Sequence, residues 1–383
     1  MQKFTLRSFA CLLLLFSFSQ LATAQQTVGL FQNDAGTAEG YTLFAPLTST
    51  KTYLIDNCGC EVHQWPSGNT PGNTVYLRED GMLVRADRLT NPDFNIGGVG
   101  GRVEILDWNG NVTWHYTISD SMQAHHHDAL PLPNGNVIFC STAPFTGVPC
   151  VGGSSHVCNL YLLDQPSGRI RRLTFDQEHN WCPVVLNNGR VMYLRWEYSD
   201  IPHYVARILF HMNPDGTEQM EYYGSNSYWP NSTFYARPVP EHPTRFVGII
   251  GGHHDVPRMG ELILFDLALG RKEADGVVQR LPGYGKKVEP IILDGLVGAS
   301  WPKFLHPWPL SDKYMLAACQ PSPKHAWGLY LVDVFDNLLC LYEKPGSAIF
   351  EPIPLVPRKT PPIVPDKVKI GRASCRERVF SSV

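Results

Sequence analysis

Beyond its first two dozen residues, the 383-residue chain has no apolar run long enough to cross a bilayer as a helix, a crossing that takes about 20 residues. It also has no cluster of lysine and arginine. The first absence predicts a mature chain without a transmembrane segment, and the second removes the electrostatic footprint of a nucleic-acid binder. Motifs for several common chemistries are missing as well. No C-x-x-C-H occurs, so covalent c-type haem attachment has no site. G-x-S-x-G, G-x-x-x-x-G-K and H-E-x-x-H are likewise absent, which removes the motif signals of a serine hydrolase, a phosphate-cradling loop and a zinc peptidase. Gly97-Gly98-Val99-Gly100-Gly101 opens a strand rather than a helix, so it reads as a flexible loop or a close backbone approach, not a dinucleotide fingerprint.

What is present starts with two unusual ends. Lys3 and Arg7 precede the apolar run Phe9 to Phe16, and Ala22-Thr23-Ala24 supplies small residues for cleavage. Residues 1–24 are therefore expected to be a signal peptide, and the protein to be exported to the periplasm or secreted. At the other end, Ile370 to Val379 reads as the translation of a sequencing adapter, so 369–383 is expected to be a non-native tail following a proline-rich exit. Without these two basic ends the body is more acidic than the formal net charge of −3. Eight cysteines remain between them. In an oxidising compartment they are expected to form one or two loop disulfides, with Cys140, Cys150 and Cys158 crowded in one stretch. Cys58, Cys60 and His63 match no standard zinc spacing.

A repeat organises the middle. Val75 to Val84, Leu130 to Ile138 and Val184 to Met192 are each apolar strand, turn, apolar strand, and their turn glycines Gly81, Gly135 and Gly189 recur at a step of 54 residues. Asp-Gly and Asn-Gly between apolar runs mark hairpins, because tight turns need residues that tolerate positive φ. Looser copies follow at Ala236 to Val247 and Phe304 to Leu316. A second series enters its turns on aspartate, at Asp107, Asp164, Asp215, Asp266 and Asp333. Two hairpins per period make four strands per unit. This describes an all-β chain folded as a single β-propeller over 25–368. The step divides the body into six four-stranded blades, with seven, or two packed β-domains, as alternatives.

In a propeller the innermost strand of every blade lines a central channel. Aligning Gly135 with Gly189 places His125 on His179, His127 on Trp181 and Asp128 on Cys182, and the next step brings Thr233 and Tyr235; His306 occupies the comparable stretch of a later unit. Strand alternation sends His125 and His127 to one face and His126 to the other. Neutral imidazole is the commonest metal ligand, so His125, His127, His179 and His306 are expected to form a metal or anion site. Asp128 would orient an imidazole through its second nitrogen, and Tyr235 would be a further contact. The competing reading is structural, with the histidines capping blade hydrogen-bond networks. His253-His254, after Gly251-Gly252, faces either the channel mouth or solvent.

Two family resemblances run along the chain, joining near Phe139 to Thr142. Tyr53-Leu54-Ile55-Asp56-Asn57-Cys58, Val62-His63-Gln64-Trp65, Gly101 to Trp108, and His126-His127-Asp128 followed by Leu132-Pro133-Asn134-Gly135-Asn136 resemble exported bacterial arylsulfotransferase-like propellers over about residues 40–138, within the blades expected at 25–139. That resemblance implies sulfuryl transfer between aryl substrates, with His127 and Asp128 as the catalytic residues. Thr174 to Pro183, Gly189 to Tyr198, Gln219 to Asn231 and Val278 to Pro290 resemble the middle domain of hydrazine synthase alpha subunits over about residues 142–368, within the blades expected at 140–368. This second resemblance implies a propeller without the haem-bearing flanks of that enzyme. The expectation is an exported binding or scaffold propeller whose channel takes a small molecule, an anion or a protein segment. A divalent metal is the one cofactor the histidine set suggests, and sulfuryl transfer is the alternative.

Overall fold

The computed structural model describes residues 29–30, 37, 39–94, 98, 100–148, 153–165, 167–176, 178–198, 205–251, 259–291, 298, 300–344 and 346–368. The expected signal peptide, the expected tail, Cys150, His253 and His254 lie outside them. The described chain is all-β, and no helix in it is long and apolar enough to cross a membrane.

Its first sheet contains β2 (Tyr41–Phe44), β3 (Lys51–Asp56) and β4 (Glu61–Pro66), and its second β5 (Pro71–Leu77), β6 (Leu83–Arg88), β7 (Gly101–Leu106) and β8 (Val112–Thr117). The third runs through β9 (Ala124–Pro131), β10 (Val137–Val148), β11 (Gly153–Asp164) and β12 (Arg169–Arg172). Next come β13 (Asn180–Val185), β14 (Val191–Tyr198), β15 (Val205–Met212) and β16 (Met220–Tyr223), then β17 (Ser232–Pro238), β18 (Arg245–Gly251), β19 (Glu261–Asp266) and β20 (Val277–Leu281). The last group is β21 (Lys303–Pro309), β22 (Tyr314–Gln320), β23 (Gly328–Asp333) and β24 (Leu338–Glu343).

The β-propeller class is as expected, but the blade count is not. Among the described residues, four sheets stand as separate blades of four or five strands, while the fifth sheet has eight. The cause is one parallel bridge, Arg207 to Ser232, that joins β15 to β17 and fuses two antiparallel runs into one sheet. Six independent blades are therefore not formed.

The expected turns are where the repeat puts them. Gly81, Gly135 and Gly189 adopt φ of +80°, +87° and +80°, and each donates its amide back across a tight turn, for example Gly135 N to Leu132 O at 2.9 Å. The aspartate series acts by side-chain capping: Asp107 Oδ1 accepts from the amides of Asn109 and Asn111, and Asp333 Oδ1 from those of Phe335 and Asn337. Inner and middle strands are buried on both faces, as in β9, while the edge strand β8 is exposed or half-exposed along its length. That gradient is what stacking sheets around an axis produces.

The ring closes by exchanging chain ends. β25 (Ile353–Leu355) pairs with β2, and β1 (Gly29–Leu30) pairs with β24, both antiparallel. Residues from the two ends thus complete each other's sheets. The expected loop disulfides are not formed between Cys140 and Cys158, which are buried free thiols on adjacent strands.

Candidate functional site at the hub

The inner strands β5, β9, β13, β17 and β21 lie side by side around the axis, and each breaks register with its neighbour near mid-strand. The breaks skip His127 and Asp128 on β9, Cys182 and Pro183 on β13, Tyr235 and Ala236 on β17, and His306 and Pro307 on β21. A bulge of this kind re-aims side chains out of the sheet. Its first residue is left-handed in every case: φ is +20° at His127, +53° at Cys182, +51° at Tyr235 and +45° at His306. Asn73 before Thr74, at +129°, and Glu351 before Pro352, at +51°, complete the set. Such backbone costs about 1–3 kcal/mol per residue and persists only where the surroundings enforce it.

All six line one cavity of about 20 Å³, counted as the space open to the centre of a water molecule, together with Asp128, Arg237 and Tyr76. A single water needs about 10–15 Å³ on that measure, so the hub takes an ion or one or two waters.

Burial dominates its electrostatics. Asp128 is 5% exposed, and burial, opposed by Arg237, pushes its carboxyl up to about 7. Glu351 is raised well above the carboxylate range by burial, although Arg237 Nη2 stands 3.6 Å from its Oε1. Asp128 Oδ1 and Glu351 Oε2 have no hydrogen-bond partner among the described residues. His306 accepts the Glu351 amide on Nδ1 at 3.3 Å and packs against Tyr235; burial, then Arg237, lowers it to about 3. It is neutral at physiological pH. Arg237 in turn sits 3.9 Å over the Trp308 ring.

His127, Asp128 and Cys182 each offer one ligand atom, and these atoms lie within 4.8 Å of one another. An imidazole, a carboxylate and a thiol together suit a borderline cation such as zinc. His126 braces this group, its Nδ1 meeting Nδ1 of His127 and its ring stacking on Trp181.

Of the residues expected at the channel from sequence, His127, Asp128, Tyr235 and His306 line the cavity, and His125 and His179 do not. His125 is fully buried with both nitrogens engaged: Nδ1 accepts the Gly101 amide, and Nε2 bonds the Asp128 carbonyl at 3.2 Å. Burial lowers it to about 4. His179 accepts the Cys158 amide on Nδ1 and packs on Trp181 and Trp196, outside the cavity. The strict alternation expected for the histidine run fails because the bulge turns His127 toward His126.

Gly98 and Gly100 are a close approach of backbone to these histidines. Gly98 O accepts from the His127 amide and Gly100 N donates to the His125 carbonyl. A Cβ on Gly100 would lie 2.3 Å from His125 Nδ1. Cys182, Glu351, Arg237 and Asn73 were missed as site residues from sequence. A signal for two of them exists, since Cys182-Pro183, His306-Pro307 and Glu351-Pro352 repeat one dipeptide pattern at the hub.

No protein-family model matches the chain, and no curated protein matches it. Among solved structures it is similar to Kuenenia stuttgartiensis hydrazine synthase, with 13% identity and a TM-score of 0.60 over 86% of this chain and 48% of that one. The chain thus spans about half of that protein's length. A protein of unknown function from Bacteroides caccae matches at 12% identity and a TM-score of 0.48, over 83% of this chain and 99% of that one. The β-propeller domain of the Trilobed protease from Pyrococcus furiosus matches at 10% and 0.38, over 77% of this chain and 75% of that one. At these identities the likeness to hydrazine synthase concerns the fold alone.

Proposed function

We propose that the protein is an exported binding propeller whose hub holds one divalent metal ion, zinc by the softness of its donors, on His127, Asp128 and Cys182. The observation that carries this reading is the set of three donor atoms within 4.8 Å, one of them on a buried carboxylate whose Oδ1 has no partner. Leaving such a group unpaired costs about 1–3 kcal/mol, more when it is charged. A cation would remove that cost and hold Asp128 ionised. His126 behind His127 would act as an orienting contact. The set differs from the four histidines expected from sequence, of which only His127 is retained.

Sulfuryl transfer would keep His127 and Asp128 and add Arg237 as the charge stabiliser, but a space of about 20 Å³ suits an ion rather than an aryl ring. Binding is therefore the reading the geometry favours.

Metal analysis of zinc-loaded, dialysed protein tests it. Wild type should retain about one ion per chain. Asp128→Asn and Cys182→Ser should retain far less, and His179→Ala should match wild type. Equal zinc in all four proteins, or none in any, contradicts the reading.

A further inference from the structure

The C-terminal segment 356–368 follows β25 and is held at points spread across one end of the propeller. Arg358 donates Nη2 to Pro309 O at 2.7 Å, at the end of β21, and Thr360 Oγ1 donates to Glu79 Oε1 at 2.9 Å in the β5–β6 turn. Pro362 O rests on Gly189 in the β13–β14 turn, at a point where a Cβ would lie 2.1 Å from it. Asp366 pairs with Arg171 at 2.9 Å, Lys367 Nζ pairs with Glu218 Oε1, and Asp215 Oδ2 accepts the Lys367 amide at 2.6 Å.

The three hairpins reached by Arg358, Thr360 and Pro362 belong to alternate inner strands of the ring. An extended proline-rich segment advances about 3.1 Å per residue, so 358 to 362 covers roughly 12 Å. A stretch that short touches three alternate inner hairpins only by passing over the axis.

Arg358 also reaches the hub indirectly. Its guanidinium stands 5.2 Å over the Trp308 ring, which carries Arg237 at 3.9 Å, and Arg237 faces Glu351.

We propose that residues 356–368 are a strap that seals this end of the channel over the hub. The strap bears on the metal reading but does not require it, because its test reads the hub thiol and not the metal.

In metal-free full-length protein, the rate at which a small methanethiosulfonate labels Cys182 is followed by peptide mass spectrometry, with the buried Cys319 as the control for global opening. Arg358→Ala/Thr360→Ala/Lys367→Ala should raise the Cys182 rate about tenfold and leave Cys319 unchanged, as expected for local rather than global opening. An unchanged Cys182 rate, or a parallel rise at Cys319, overturns the strap. Should that variant not fold, Asp366→Ala/Lys367→Ala leaves the axial contacts of Arg358 in place. It should give a smaller rise confined to Cys182, and no rise overturns the proposal equally.

Discussion

His306 shows how a single side chain records the character of the hub. It is 8% exposed, accepts the Glu351 amide on Nδ1, and is lowered to about 3 by burial and by Arg237. In the unfolded chain it would titrate near 6.5. A base whose folded value is depressed binds fewer protons folded than unfolded, so its contribution to stability is complete above about 6.5 and is lost as pH falls toward about 3. Wild type should lose about 2 kcal/mol between pH 7.5 and 5 relative to His306→Asn, read from paired denaturation curves. A difference between the two proteins that does not change with pH would count against a neutral, amide-bound imidazole. The same scale shows why sequence alignment reached only part of the site. A step of 54 puts His127 on Trp181, whereas the bulges pair it with Cys182, one residue later. Bulge position depends on the backbone at each inner strand, and a fixed repeat length does not report it. Arg237 was missed for a related reason, since it does not belong to a run that reads as chemistry until the ring brings it to His127.

At the scale of elements, hairpins were the most legible feature, because each depends on a turn residue a few positions long. β1 and β25 were not legible, being two and three residues that pair with strands from the far end of the chain. The second sheet contains an ion network that alternation alone does not reveal. Register places Arg85 opposite Glu104 and Asp87 opposite Arg102 on β6 and β7. Arg85 is fully buried, bonding Asp87 at 2.6 Å and Glu104 at 3.1 Å, and Arg102 bonds the same two carboxylates from a side chain 24% exposed. Removing one partner of a buried pair strands a charge and costs about 3–5 kcal/mol. Arg85→Met should approach that loss in urea denaturation. Arg102→Met should cost clearly less, since water reaches its site. Equal losses would show that burial does not set the strength of this network.

For the whole molecule, the propeller class followed from two interleaved turn series and the lack of helical periodicity. The number of separate blades did not, because one parallel bridge between β15 and β17 merges two of the expected units. The two chain ends close the ring, and closure is what brings distant residues to one axis. Six left-handed residues then face a space only large enough for an ion or a water or two, with two buried carboxylate oxygens lacking partners among the described residues. A crystal of the zinc-loaded protein, measured at the zinc absorption edge, tests this most directly. The account predicts one anomalous peak at the hub between the side chains of His127, Asp128 and Cys182. A hub without a peak, or zinc bound only at surface histidines, would contradict it.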